Sequence, residues 1–102
     1  KHGRRTGAII LVDDQGRLSG LFTDSDLVRL FETRQEDALD RPISDVMTRG
    51  PITVPLGTRM QDAVNILVRR KFSELPVVDP SMRPAGLLDV TDCMSLMPVQ
   101  ST

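Results

Sequence analysis

The feature that most constrains this chain is a repeat. Residues 8–31, AIILVDDQGRLSGLFTDSDLVRLF, align without a gap at a constant offset of 66 with residues 74–97, ELPVVDPSMRPAGLLDVTDCMSLM. Seven of the 24 pairs are identical: Val12/Val78, Asp13/Asp79, Arg17/Arg83, Gly20/Gly86, Leu21/Leu87, Asp26/Asp92 and Leu30/Leu96. The shared order says more than the identities. Each copy passes from an apolar stretch to Asp, a polar turn, Arg, Gly, an apolar pair and an acidic stretch. A local plan spelled twice calls for two supersecondary units.

Residues 8–12 have the pattern of a buried strand, Asp13-Asp14-Gln15-Gly16 that of a hairpin turn, and 17–22 that of the returning strand. In the second copy 75–78 and 85–89 are the strands, joined by Pro80-Ser81-Met82-Arg83-Pro84. A helical pattern follows each hairpin. Leu27, Leu30 and Phe31 stand at i, i+3 and i+4, which predicts a buried face, and Cys93, Leu96 and Met97 repeat the spacing.

A further unit lies between the copies. Ile43, Val46 and Met47 predict a short helical turn after Arg41-Pro42. Gly50-Pro51 breaks the chain, Ile52-Thr53-Val54 is β-prone, and Pro55-Leu56-Gly57 ends it. Thr58-Arg59-Met60-Gln61 has the form of a capping box. Met60, Ala63, Val64 and Leu67 then form one face of a helix reaching to about Lys71. The second module, 41–102, is expected to run strand, helix, strand, strand, helix. The first, 1–40, lacks the counterpart of 48–66 and is expected to be incomplete at its N-terminal side. Apolar surface at Ile9, Leu11 and Leu21 should then be underpacked and favour a homodimer. The fold class expected is α/β of the α+β kind, with tandem modules that each set two helices on one face of a small sheet.

Composition narrows the function classes. The formal net charge is −1, which gives no general attraction to nucleic acid or to an anionic membrane. With no Trp or Tyr and three Phe, base-stacking platforms are not expected. No apolar run approaches the length of a membrane span, and no signal peptide is apparent. A single cysteine, Cys93, excludes an internal disulfide and fits a reducing, cytoplasmic setting. The chain begins at Lys1 without Met and reads as a piece of something longer. There is no Ser–His or Cys–His pairing, zinc spacing or phosphate loop, so no catalytic residue is assigned. Asp13-Asp14 and Glu36-Asp37 lack the His or Cys that would make them metal ligands.

The ordered set of motifs resembles tandem cystathionine-β-synthase (CBS) domains. Each copy carries, after its last strand, a segment related to Gly-x-x-Thr/Ser-x-x-Asp. Asp45-Val46-Met47-Thr48 with Gly50-Pro51-Ile52-Thr53-Val54 is similar to the lead-in of a second CBS module, and Leu75-Pro76-Val77-Val78-Asp79 to its middle strand. Gly20-Leu21-Phe22-Thr23-Asp24, Asp26-Leu27, Arg41-Pro42 and DVMTR further resemble the C-terminal CBS pair of arabinose-5-phosphate isomerases, in which a sugar-isomerase domain precedes the pair.

The stretch GLFTDSDL accordingly has two compatible readings. Thr23 and Asp26 suit the N-terminus of a helix. The resemblance implies that Asp26 and Asp92 read the ribose hydroxyls of an adenine nucleotide, that Thr23 lies near its phosphates, and that Thr91 also belongs to the ligand site. It implies too that Thr53 and Ser73-Glu74-Leu75-Pro76 enclose the base. An ionised carboxylate suits a vicinal diol, because it accepts two hydrogen bonds. Arg69 and Arg70 are candidates for phosphate contact; their other reading is complementation of a helix C-terminus. Module two departs from the pattern at Asp89, where Thr is expected. The expected ligand is AMP, ADP, ATP or adenosine, with no cofactor required. The expected partners are that small molecule, a second copy and a covalently attached N-terminal isomerase domain, and neither nucleic acid nor membrane. The competing readings are a structural dimerisation module with vestigial pockets and a nucleic-acid-binding accessory.

Overall fold

The computed structural model describes residues 7–90. The chain divides into two compact units, Lys1–Pro51 and Ile52–Thr102. Each carries a three-stranded sheet and, among the described residues, one α-helix, giving a mixed α+β architecture.

In the first unit, β1 (Ala8–Val12) and β2 (Leu18–Thr23) form an antiparallel hairpin, and β3 (Thr48–Arg49) adds to the far side of β2. The hairpin turn is held by one carboxylate. Asp13 Oδ1 accepts from the backbone N–H groups of Gln15 at 2.9 Å and Arg17 at 3.0 Å. These donors, the Arg17 N–H first, hold the Asp13 carboxyl below its ordinary value, with a smaller contribution from the Arg17 guanidinium. Gly16 supplies the positive φ the turn demands, at 79°.

The second unit repeats this geometry bond for bond. β5 (Glu74–Val78) and β6 (Pro84–Asp89) pair as Glu74↔Asp89, Leu75↔Leu88, Pro76↔Leu87, Val77↔Gly86 and Val78↔Pro84. Each pair lies 66 positions beyond its counterpart in β1–β2, including the bulge after the fourth pair. Asp79 Oδ1 takes the N–H groups of Ser81 and Arg83, both at 2.9 Å, as Asp13 does. Met82 occupies the place of Gly16 with φ at 67°.

The two units differ in what covers the hairpin. In the second, β4 (Val54–Pro55) pairs in parallel with Val77 and Val78, and α2 (Met60–Arg70) packs on β5. Val54, Ala63, Leu67 and Leu75 form the core there, flanked by Val64, Ile66, Phe72, Val77 and Leu88. Burying a leucine such as Leu67 contributes about 2 kcal/mol. Pro76 is fully buried in the central strand, one position before the first β4 pairing. Lys71 ends α2 in the left-handed conformation at φ 58°, its N–H returning to the Leu67 carbonyl.

In the first unit α1 (Asp24–Glu32) follows β2, and two 3-10 turns, Glu36–Asp40 and Ile43–Asp45, lead to β3. Its buried apolar residues, among those described, are Leu21 and Ala38. Ile9 is 53% exposed, whereas its counterpart Leu75 is 0% exposed. That difference marks the partner β1 lacks: nothing described in this unit corresponds to β4 and α2.

Several expectations are corrected. Leu27 and Phe31 are exposed rather than buried, and of that face only Leu30 is half-buried. Leu21 is not underpacked; it is buried beneath the β3 pairing. Thr58 forms no capping box. Its Oγ1 donates to the Pro55 carbonyl at 2.7 Å, and the N-cap is Arg59, with no side-chain cap. Met60 stays half exposed on α2. The strand expected at Ile52-Thr53-Val54 forms at Val54–Pro55. The Cys93, Leu96 and Met97 face lies outside the described residues.

Candidate functional site

The stretch GLFTDSDL places its four oxygen-bearing residues where β2 becomes α1. Thr23 is extended at φ −113° and ψ 168°, which aims its side chain into the first helical turn. Its Oγ1 accepts from the Asp26 N–H at 3.2 Å, and Asp26 Oδ2 accepts from the Thr23 N–H at 2.9 Å. This reciprocal pair satisfies two donors that a helix start otherwise leaves open. Asp26 Oδ1 takes the Arg29 Nη1 donor at 3.1 Å. Asp26 is 15% exposed and Arg29 65% exposed, so the carboxylate is held from inside and approached from outside. Around it, the Asp24 N–H donates to the Gly7 carbonyl at 2.9 Å, tying the start of α1 to the residue before β1.

The second unit makes the same tie. The Val90 N–H donates to the Ser73 carbonyl at 2.8 Å, again 66 positions on. Ser73 is thereby brought beside the chain that continues into Thr91 and Asp92, which themselves lie outside the described residues. Next to this junction Glu74 stands directly opposite Asp89 across the β5–β6 ladder, and both are buried. On the other side of β5, Thr53 precedes the β4 pairing and is half-buried. Leu75 and Pro76 are both fully buried; as neighbours in one strand they point to opposite faces of the sheet, Leu75 into the α2 core.

Arg69 and Arg70 occupy the exposed last turn of α2. The Arg70 guanidinium lies 5.7 Å from the centroid of the Phe72 ring, a cation–π distance that gives this side chain a local anchor. Among the described residues no group of three or more His, Cys, Asp or Glu side chains is placed to hold a metal ion. No helix among them is long and apolar enough to cross a membrane.

Two features escaped the sequence reading. Arg29 sits on the carboxylate assigned to ribose; its i+3 spacing from Asp26 was the available signal. The facing of Glu74 and Asp89 follows from carrying the first hairpin's register across the offset.

A family model for the CBS domain matches residues 1–33 and 43–99. The chain belongs to the CBS-domain family, as a tandem pair. Among curated proteins it is 36% identical over 86 residues to arabinose 5-phosphate isomerase GutQ of Escherichia coli O6:H1, covering 84% of this chain and 26% of that protein. It is 41% identical over 73 residues to arabinose 5-phosphate isomerase KdsD of Yersinia pestis, covering 72% and 22%. It is 34% identical over 91 residues to the CBS domain-containing protein CBSCBSPB5 of Arabidopsis thaliana, covering 89% and 16%. The chain thus spans about a quarter of these relatives or less. Among solved structures, CBSX2 in complex with AMP aligns at a TM-score of 0.68 and 30% identity, covering 87% of this chain and 72% of that one. The CBS pair of MJ0100, in complex with 5′-methylthioadenosine and S-adenosyl-L-methionine, aligns at 0.75 and 25% identity, covering 87% and 68%.

Proposed function

We propose that this chain is a regulatory, ligand-sensing CBS pair that binds an adenine nucleotide or nucleoside and controls an attached sugar-phosphate isomerase domain. The observation that carries the reading is the repeated junction. In each unit the residue before the hairpin accepts a hydrogen bond from the first residue beyond it, Gly7 from Asp24 and Ser73 from Val90. In the first unit that junction presents an inward-held carboxylate, Asp26, on a helix N-terminus. A carboxylate there suits a vicinal diol, and the helix N-terminus suits phosphate. The adenosyl ligands of the CBSX2 and MJ0100 complexes support the ligand class. The likeness to GutQ and KdsD supports the isomerase, whose catalytic residues would then lie outside this chain.

The module boundary is placed at 40/41 and the protein in the cytoplasm. In module two, Thr53, Ser73, Glu74, Leu75 and Pro76 would enclose the base. Asp92 would hold the ribose, with Thr91 beside it, and Arg69 or Arg70 would meet phosphate. Thr23 and Asp26 would serve module one. Ligand binding regulates only if it favours one arrangement of the pair over another.

The site chemistry also sets a preference. Asp89 stands where the family pattern has Thr. A carboxylate about 6 Å from a phosphate charge costs roughly 3 kcal/mol at an effective dielectric near 20, and less when screened by salt. Adenosine or AMP should therefore bind module two better than ATP. Calorimetric titration tests this. Asp92→Ala should abolish binding, and Asp89→Thr should improve ATP relative to adenosine. ATP favoured by the unmodified chain, or full binding by Asp92→Ala, sinks the reading. A second reading, a structural dimerisation module, draws on the exposed Ile9, Val12 and Phe31. Its mark would be a dimer in sedimentation with no nucleotide response.

A further inference from the structure

The Met47 thioether has a chemistry that ligand sensing leaves unused. It lies on Gly20, and a Cβ added to that glycine would collide with its Sδ, Cε and Cγ atoms, Sδ being the nearest. The sulfur is thus seated on bare backbone, in a space that only glycine leaves open. Gly20 and Leu21 beneath it are buried.

The segment that carries Met47 is tied to itself. The Val46 and Met47 N–H groups both return to the Ile43 carbonyl, at 3.0 and 2.9 Å. Arg49 Nη2 donates to the Ser44 carbonyl at 2.9 Å. Its ties to β2 are fewer. They are the pairs Gly20↔Arg49 and Leu21↔Thr48, the Gly50 N–H on the Ser19 carbonyl at a long 3.4 Å, and the Met47 side chain. A strand this short offers few main-chain bonds, so the side chain carries a large share of the attachment. Thr48, Arg49 and Gly50 are exposed and Met47 is only half-buried. A small local opening therefore lets a small oxidant reach the sulfur.

We propose that Met47 is an oxidation site and that its sulfoxide releases β3 from β2. The co-substrate is a peroxide, hydrogen peroxide being the simplest. A sulfur lone pair attacks one peroxide oxygen, and the S–O bond forms as the O–O bond breaks. The proton of the delivered oxygen passes to the leaving one, which departs as water. The sulfur is oxidised and the peroxide reduced. A dithiol reverses the change: it becomes a disulfide, and the oxygen leaves as water. The sulfoxide carries a polar oxygen on the atom nearest Gly20. A seat that fits a slim thioether cannot keep both that oxygen and its hydration. The edge set free belongs to β2, the strand that ends at Thr23 and runs into the Asp26 cap. The release would occur with or without a bound nucleotide.

The test treats this chain with hydrogen peroxide, follows each methionine by peptide mass spectrometry, and reads amide exchange over 43–50. Met60 and Met82, both half exposed, serve as internal references. Met47 should gain one oxygen, and exchange over 48–50 should rise about tenfold, as the loss of a well-satisfied contact implies. Exchange in β5 and β6 should not change. Met47→Leu should keep its protection after peroxide, which assigns the effect to this sulfur. Met47→Gln, polar and of similar length, should raise exchange without oxidant. Gly20→Ala should speed Met47 oxidation, because the flexible side chain must step off its seat. If Met47→Leu lacks protection from the outset, methionine sulfoxide reductase acting on the oxidised parent chain decides, and failure to restore protection counts against the proposal. A Met47 that stays reduced while Met60 and Met82 convert overturns it. So does a fully oxidised Met47 with unchanged exchange over 48–50, or a rise that persists in Met47→Leu.

Discussion

Replacing Asp26 separates its structural work from its proposed ligand role. Three interactions meet at this carboxylate: the Thr23 N–H on Oδ2, the Arg29 guanidinium on Oδ1, and the N-terminus of α1. Loss of a capping partner costs about 1 kcal/mol. The charge at the helix start is worth about 0.5 kcal/mol. The ion pair adds at most about 0.5 kcal/mol, because Arg29 is mostly exposed and screened. Asp26→Ala should therefore destabilise by about 2 kcal/mol. Asp26→Asn keeps an oxygen for the Thr23 N–H but loses the charge, and should cost about 1 kcal/mol. Each kcal/mol lowers the melting midpoint of a domain this size by about 4–8 °C. Urea denaturation followed by circular dichroism gives the free energies. Adding Thr23→Ala to Asp26→Ala should cost close to the sum of the two single changes, because each side chain accepts from the other residue's backbone N–H and each substitution breaks a different bond. Equal losses in the Ala and Asn variants would refute the argument that the backbone bond and the charge contribute separately, and a double change costing no more than one single change would refute the two-bond reading of Thr23 and Asp26.

Other consequences are more local. Leu67→Ala, at the centre of the α2 core, should cost about 2–5 kcal/mol in the same denaturation assay. Met82→Gly should stabilise the second hairpin by up to about 1 kcal/mol, since φ 67° suits glycine, part of the gain being offset by unfolded-chain entropy. The Asp13 carboxyl, titrated by carbon NMR, should show a midpoint below its ordinary 3.8. Because the folded value is the depressed one, its contribution to stability is present above the unfolded value and is lost as pH falls through the folded one. Arg17→Ala should move that midpoint only part of the way back, because the leading cause is a backbone donor that the substitution retains.

What was legible in the sequence was what is decided locally. The Thr23–Asp26 box needs residues three apart, and its strand–helix junction is spelled in the same eight letters. The hairpins were legible because apolar runs flank a turn whose Asp closes it. The Thr58 box has the same lettering and fails, because the Pro55 carbonyl competes for the Thr58 hydroxyl. Periodicity marked Leu27 and Phe31 as one apolar face but could not say whether any element covers it. The β3 strand, Thr48–Arg49, has no signal of its own; it exists because Gly20 and Leu21 offer an edge and Gly20 leaves room for Met47. Of the candidate site, the Asp26 side was readable by spacing. The facing of Glu74 and Asp89 was not, because it depends on a register between separate strands.

Pro76 has a consequence for how reliably the second sheet can be assembled. A short parallel strand of two residues, such as Val54–Pro55, has little of its own to fix its position, and a slip by one residue would reverse which side chains enter the core. Proline carries no N–H. With Val54 on Val77 and Pro55 on Val78, β4 begins one position past it. A slip toward Pro76 would exchange a bonded neighbour for one with nothing to donate, and would turn Val54 away from Leu67 and Leu75. Pro76 thus acts as a stop against which the strand is indexed. The misaligned sheet is penalised while the correct one is left untouched, so the gain lies in uniqueness rather than in strength.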